Sequence, residues 1–188
     1  LLLAPEMVVR GGPLYVVDLA VELARREVPT VVVSPGGPMV ARLTEKGITH
    51  RAVPFQGGRI LDPIGLWRLR RAGREIQPRL VHVLSESLDR IGPMLARLLG
   101  VPAVLTAHGL RGPDEHAVLG PRWSRKSVKA VLAVSQAVRE ELVNVSGVPS
   151  LLVRPVLGGI DLARYPADPE PPLAGDRVPA VGTLTRLV

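Results

Sequence analysis

No cysteine occurs in the chain, which excludes disulfides and thiolate-bound metals and makes the cytoplasm the simplest setting. Aromatic residues are almost as scarce, at 3%. A nucleic-acid module is expected to interleave aromatics for base stacking, so nucleic acid is not an expected partner. No apolar run approaches the roughly 18–20 residues that cross a bilayer, and a soluble protein is expected. The opening "LLLA" is too short for the core of a signal peptide and lacks a basic leader. It reads as a first strand whose leading residues are missing. The dinucleotide fingerprint G-x-G-x-x-G is absent after that strand, and so is the P-loop pattern, which argues against a nicotinamide dehydrogenase or a P-loop NTPase. Neither a Ser-His-Asp order nor a metal-ligand cluster of recognisable spacing appears, so no metal and no cofactor is expected.

What the sequence does have is aliphatic bulk and positive charge. Apolar residues make up 46% of its 188 positions, enough for one sizeable core and the beginning of a second. The net charge of +7 favours anionic partners: phosphorylated substrates or a membrane surface. Much of that charge sits at helical spacing in "LWRLRRAGRE" (66–75), where a solvated helix face is the simpler reading.

Short β-branched runs alternate with amphipathic stretches from end to end. Strands are expected at 1–4, 30–34, 51–55, 80–84, 103–107, 130–134, 151–156 and 179–184. Helices are expected at 13–27, 38–46, 62–76, 89–99, 121–128 and 135–145. In the first helix Asp18, Glu22, Arg25 and Arg26 form a polar side, with Val16, Leu19, Ala20, Leu23 and Ala24 opposite. Continuous apolar strands separated by helices imply right-handed βαβ units and a doubly wound, Rossmann-like parallel sheet. A closed barrel usually needs roughly 200–250 residues. The domain is expected to span 1–164. "YPADPEPPLAGDRVPA" (165–180), with five prolines in sixteen residues, reads as a linker. Residues 181–188 read as the truncated start of a second domain.

A 3-2-1-4-5 strand order places the ligand crevice between strands 1 and 4. Gly11-Gly12-Pro13 follows strand 1, where glycines admit a ligand and a helix N-terminus favours anions. Its copy, Gly36-Gly37-Pro38, follows strand 2, one strand further out, and is expected to be only a turn. Ser85-Glu86-Ser87 follow strand 4, and His108-Gly109 follow strand 5. His108 ends an apolar strand at its carboxyl edge and is the expected ligand-facing histidine. His50, His82 and His116 are expected to be structural. Ser135 is expected to cap a helix, with a cleft-facing hydroxyl as the other reading. The loop 54–65 is glycine-rich and is expected to be a mobile acceptor loop.

Taken together, "RGGPLYVVDLAVELARRE", "LVHVLSES", "GVPAVLTAHG", "AVLAVSQAVREEL" and "GGID" resemble, in order, the amino-terminal half of retaining glycosyltransferases of family 4, which have the two-domain GT-B fold. The resemblance covers nearly all of residues 1–164. It implies that this domain mainly meets the acceptor, while a carboxyl-terminal domain holds most of a nucleotide-sugar donor. It implies that Gly11 and Gly12 lie near the donor phosphates and that His108 lies near the reacting sugar, in the catalytic position. Ser85, Glu86, Gly109 and Ser135 are the accompanying substrate-binding candidates. Transfer would retain the anomeric configuration without a bound metal, by same-face attack, the donor's own phosphate assisting deprotonation of the acceptor hydroxyl. The implied acceptor is a glycan, a lipid-linked or a small molecule, with peripheral membrane contact as a further expectation.

The sequence departs from the family pattern in three places. Gly158 stands where Asn is common, Thr183 stands where a phosphate-binding Arg is usual, and Val188 falls near a usual lysine. The chain is therefore expected to be one domain of a larger protein, inactive alone. A non-catalytic ligand-binding module and a GT-B nucleotide-sugar epimerase are the alternatives.

Overall fold

The computed structural model describes residues 1–57, 62–110 and 122–159. Among these residues, seven strands form one sheet: β1 (Leu2–Leu3), β2 (Val31–Ser34), β3 (Thr49–Ala52), β4 (Val81–Val83), β5 (Ala103–Ala107), β6 (Val128–Ala133) and β7 (Val153–Pro155). Their order is β3-β2-β1-β4-β5-β6-β7, and every neighbouring pair is parallel. The helices are α1 (Gly11–Arg25), α2 (Val40–Glu45), α3 (Pro63–Ile76), α4 (Ile91–Leu99), α5 (Arg122–Arg125) and α6 (Gln136–Glu140). This is the expected doubly wound, Rossmann-like sheet, with the chain reversing its direction of travel between β1 and β4.

Successive residues of a strand point to opposite faces, so a strand covered on both sides must be apolar at every position. Leu2 and Val32 pack with Val16, Val17, Ala20 and Leu43 on the side of α1 and α2. Leu3 and Val33 pack with Leu69, Ala72, Leu95 and Ala96 on the side of α3 and α4. Each leucine or valine among them contributes about 1.5–3 kcal/mol on full burial, which fixes both layers against the sheet.

Several boundaries differ from expectation, each for a local reason. α1 begins at Gly11, two residues early, so Pro13 is its third residue. Its buried stripe is Pro13, Val16, Val17 and Ala20, while Ala24 is exposed. β3 starts at Thr49 and ends before Pro54, which has no N–H to donate; as an edge strand it carries polar residues. The helix expected at 121–128 yields after Arg125. Ser127 donates its hydroxyl to Ser124 and Pro93 carbonyls, and β6 opens at Val128. The helix expected at 135–145 is α-helical only to Glu140 and continues as a wider π turn through Val145. The expected strand at 179–184, the linker at 165–180, the second-domain start at 181–188, His116 and Thr183 lie outside the described residues.

The loop after β1 is tied to the loop after β2. The buried Met7 donates its N–H to the Gly36 carbonyl at 2.7 Å and accepts from Met39 N–H at 2.8 Å. Gly36 and Gly37 have φ of +118° and +130°, and a Cβ at Gly37 would fall 2.6 Å from the Met7 oxygen. The second Gly-Gly-Pro is a turn that the backbone itself requires.

Candidate functional site

The loops at the carboxyl ends of β1, β4 and β5 carry the predicted residues other than Ser135, and α1 supplies one wall. Gly11 and Gly12 occupy its first two positions, where their N–H groups precede the helical ladder that opens with Leu14 donating to Arg10. No side chain caps this end. Neither glycine has positive φ, and a Cβ at either would meet nothing within 4 Å. The fold therefore does not itself require glycine here, in contrast to Gly37.

One turn further along α1, Tyr15 lies edge-on to the His108 ring, with centroids 4.8 Å apart. Tyr15 also shares a hydrogen bond with Thr106, whose hydroxyl lies 2.8 Å from His82 Nε2. Burial raises the Tyr15 pKa, and the Thr106 bond opposes the rise. His82 is the satisfied core histidine expected from its strand position. Burial first, then neighbouring positive charge that includes His108, brings its pKa down to about 4. His50, likewise structural, lies 2.8 Å from Ser34 Oγ through Nε2.

His108 has a hydrogen bond to the Leu84 backbone, while its Nε2 is buried without a partner, so Nδ1 carries the bond to Leu84. Burial lowers its pKa; the Glu86 charge and the Leu84 carbonyl pull the other way. The ring is thus neutral at neutral pH, with Nδ1–H donating and Nε2 offering a lone pair. A buried acceptor with no donor is rare and costs stability, which marks Nε2 as a group awaiting a partner.

Glu86 lies beside this ring. Its Oε1 accepts the backbone N–H of His108 and, at 3.2 Å, that of Gly109. The carboxylate therefore braces the β5 loop, and the N–H groups of His108 and Gly109 are already engaged. Ser85 Oγ accepts from Ser87 N–H at 3.3 Å and lies 2.9 Å from Ser87 Oγ, holding the short turn that presents Glu86. Ser135 stands further along the sheet, after β6, where its Oγ accepts the Val138 N–H at 3.2 Å and caps α6. Gly158, after β7, has open space around it.

The loop expected to be mobile is anchored at its described ends. Asp62 accepts from Gly65 N–H at 2.7 Å and from Gln56 N–H at 2.8 Å. Gly57 lies so close to Ser87 that a Cβ would fall 2.9 Å from the Ser87 oxygen. Among the described residues, no grouping of His, Asp and Glu could hold a metal ion. No described helix is long and apolar enough to cross a membrane. Sequence reasoning missed Tyr15 and Thr106. Their signals were a tyrosine three and four residues after the glycines, and a hydroxyl within the apolar strand "AVLTA".

Residues 9–164 match the family model of Glycosyltransferase Family 4. The chain belongs to this family. Sequence comparison with curated proteins finds no match. Among solved structures, this family 4 domain is similar to Anabaena HepE in complex with UDP-glucose. The TM-score is 0.69 at 18% identity, over 89% of this chain and 46% of that one. A glycosyltransferase from Rickettsia africae matches with a TM-score of 0.65 at 16% identity, over 90% of this chain and 46% of the other. Acinetobacter baumannii MurG matches at 0.52 and 16% identity, over 71% of this chain and 40% of that one. The chain thus spans about half the length of these glycosyltransferases, and its fold is the one they share.

Proposed function

We propose that this domain is the acceptor-side half of a retaining glycosyltransferase, which moves a sugar from a nucleoside-diphosphate sugar onto an acceptor hydroxyl. The observation that carries the reading is His108, whose buried Nε2 has no partner, packed against Tyr15 one turn into the uncapped helix α1. The HepE complexes with UDP and with UDP-glucose support the donor class.

As the glycosidic bond breaks, negative charge accumulates on the leaving diphosphate. The Gly11 and Gly12 N–H groups, with the positive end of the α1 dipole, stabilise that charge where no side chain stands in the way. Neutral His108 accepts a hydrogen bond from a sugar hydroxyl through Nε2, while Leu84 and Tyr15 keep its ring in place. The acceptor attacks from the face the diphosphate leaves, and the phosphate takes the acceptor proton. The reaction then needs no carboxylate base, which agrees with Glu86 being engaged by the β5 loop. The donor-side domain completes the site, so the 188 residues alone are expected to transfer nothing.

The test is nucleotide-sugar binding and transfer by the protein carrying both halves. His108→Ala is expected to lower transfer by roughly ten- to a hundredfold, the range of one hydrogen bond to an otherwise unpaired buried group. Unchanged transfer would remove His108 from the mechanism. Failure of the intact protein to bind any nucleoside-diphosphate sugar would overturn the reading as a whole.

A further inference from the structure

The side of the sheet that α1 covers is mostly apolar, yet a polar row crosses it. Leu2 pairs with His82 and His82 with Val104, so these side chains, and Thr106 two residues on, face α1 together. Leu2 itself packs there with Val16, Val17 and Val32. Thr106 is 2% exposed. Its hydroxyl lies 2.8 Å from His82 Nε2 and shares a hydrogen bond with Tyr15 of α1. Tyr15 in turn stands edge-on to His108, the centroids 4.8 Å apart. The row therefore runs His82, Thr106, Tyr15, His108, and it ends on the ring whose buried Nε2 has no partner.

Packing alone does not call for these residue types. Valine has nearly the shape of threonine and would fill the place in β5 without the cost of burying a hydroxyl. Thr106 has one proton and two lone pairs, so it can donate to one neighbour and accept from the other at once. His82, with its pKa brought down to about 4, is neutral at neutral pH and suits a bond to a hydroxyl in either direction. A satisfied buried network of this kind selects one arrangement of its members over others. At the far end, Leu84 holds His108 through Nδ1 alone, and a single bond leaves a ring able to pivot about it. The Tyr15 ring removes that freedom.

We infer that Thr106 is a positioning residue of the site. Its hydroxyl, braced by His82, fixes Tyr15, and Tyr15 fixes the plane in which the His108 ring presents Nε2. Thr106 thus acts through its neighbours and not on a ligand. Its effect on transfer rests on the function proposed above, whereas its effect on the ring does not.

The experiment is nitrogen NMR of the histidine side chains in this chain, beside transfer kinetics of the protein carrying both halves. In the native chain His108 is expected to show one neutral tautomer, with its proton on Nδ1. Thr106→Val is expected to mix the tautomers, and Thr106→Ser, which keeps the hydroxyl, to restore the single one. Tyr15→Phe leaves the bond between Thr106 and His82 in place; it is expected to act as Thr106→Val does, and it decides the matter if Thr106→Val does not fold. In transfer, Thr106→Val is expected to lower kcat by roughly three- to tenfold at unchanged KM, the worth of one neutral hydrogen bond. Thr106→Ser is expected to recover most of that loss. A single His108 tautomer in folded Thr106→Val and Tyr15→Phe overturns the inference. So does a Thr106→Ser variant as impaired as Thr106→Val, because packing alone would then account for Thr106. Mixed tautomers in a protein that transfers nothing uphold the positioning and overturn the transfer reading instead.

Discussion

Two pairs of glycines with the same sequence context have opposite reasons to be glycine, and single substitutions separate them. Gly12 lies in a helix with open space where a side chain would go. Gly12→Ala is expected to leave stability unchanged or raise it by up to about 1 kcal/mol, the helix-propensity gap. The same change is expected to weaken donor binding, because a methyl group enters the space the phosphate would use. Gly37→Ala faces positive φ and the Met7 oxygen, and is expected to cost about 1–3 kcal/mol. Chemical denaturation beside nucleotide-sugar titration reads both effects, and a destabilised Gly12→Ala would show that the open space is needed by the fold. Sequence order alone distinguished the two copies, through the strand each one follows. It did not show where the helix begins, because Pro13 is compatible with the first turn at more than one position. Glu86 and Ser135 were legible as polar residues at the correct sheet edge. Their partners were not, since a carboxylate bracing a loop and one awaiting substrate look the same in sequence.

Among the elements, α3 has the most explicit local signal. Asp62 caps it, Pro63 is its first residue, and Gln77 closes it in the left-handed region with its N–H on the Gly73 carbonyl. Asp62→Ala is expected to lower stability by about 1 kcal/mol, the usual worth of an N-cap. That corresponds to a melting temperature lower by roughly 2–4 °C for a domain of this size, measurable by calorimetry. Gly65 N–H first, and then Gln56 N–H, hold the Asp62 pKa below its ordinary value of 3.8. The contribution that depends on its charge is therefore present above that value and lost as pH falls through the depressed one. Central strands were legible because burial on both faces forces continuous apolar runs. β3 was misplaced because an edge strand is exempt from that rule: Thr49, His50 and Arg51 carry no apolar run to find. α5 and the second half of the helix expected at 135–145 depart from expectation because hydrogen bonds of Ser127, and a widened turn ending at Ser146, override the helical period.

For the molecule as a whole, the described histidines are expected to make stability fall with acidity. Burial lowers the pKa of His50, His82 and His108 alike, and His82 furthest, to about 4 from 6.5. Between those two values the unfolded chain binds more protons than the folded one, so stability falls as pH is lowered. Above 6.5 the shift has no effect. Urea unfolding at pH 7 and pH 5 is expected to show the loss, reaching a few kcal/mol as pH approaches 4. His82→Gln is expected to flatten the dependence; equal stability of the native protein at both pH values would refute the assignment. A last consequence concerns the joint between Met7 and the Gly36–Met39 turn. A segment proposed to stay bare for a donor phosphate cannot stiffen itself with bulky groups of its own. The approach to Gly11 is instead clamped from the neighbouring crossover, as a workpiece is held in a jig. On the proposed function, the apparently inert tripeptide serves the open one, and damage at Gly37 should be felt as poor aim in the cleft beside the loss of stability.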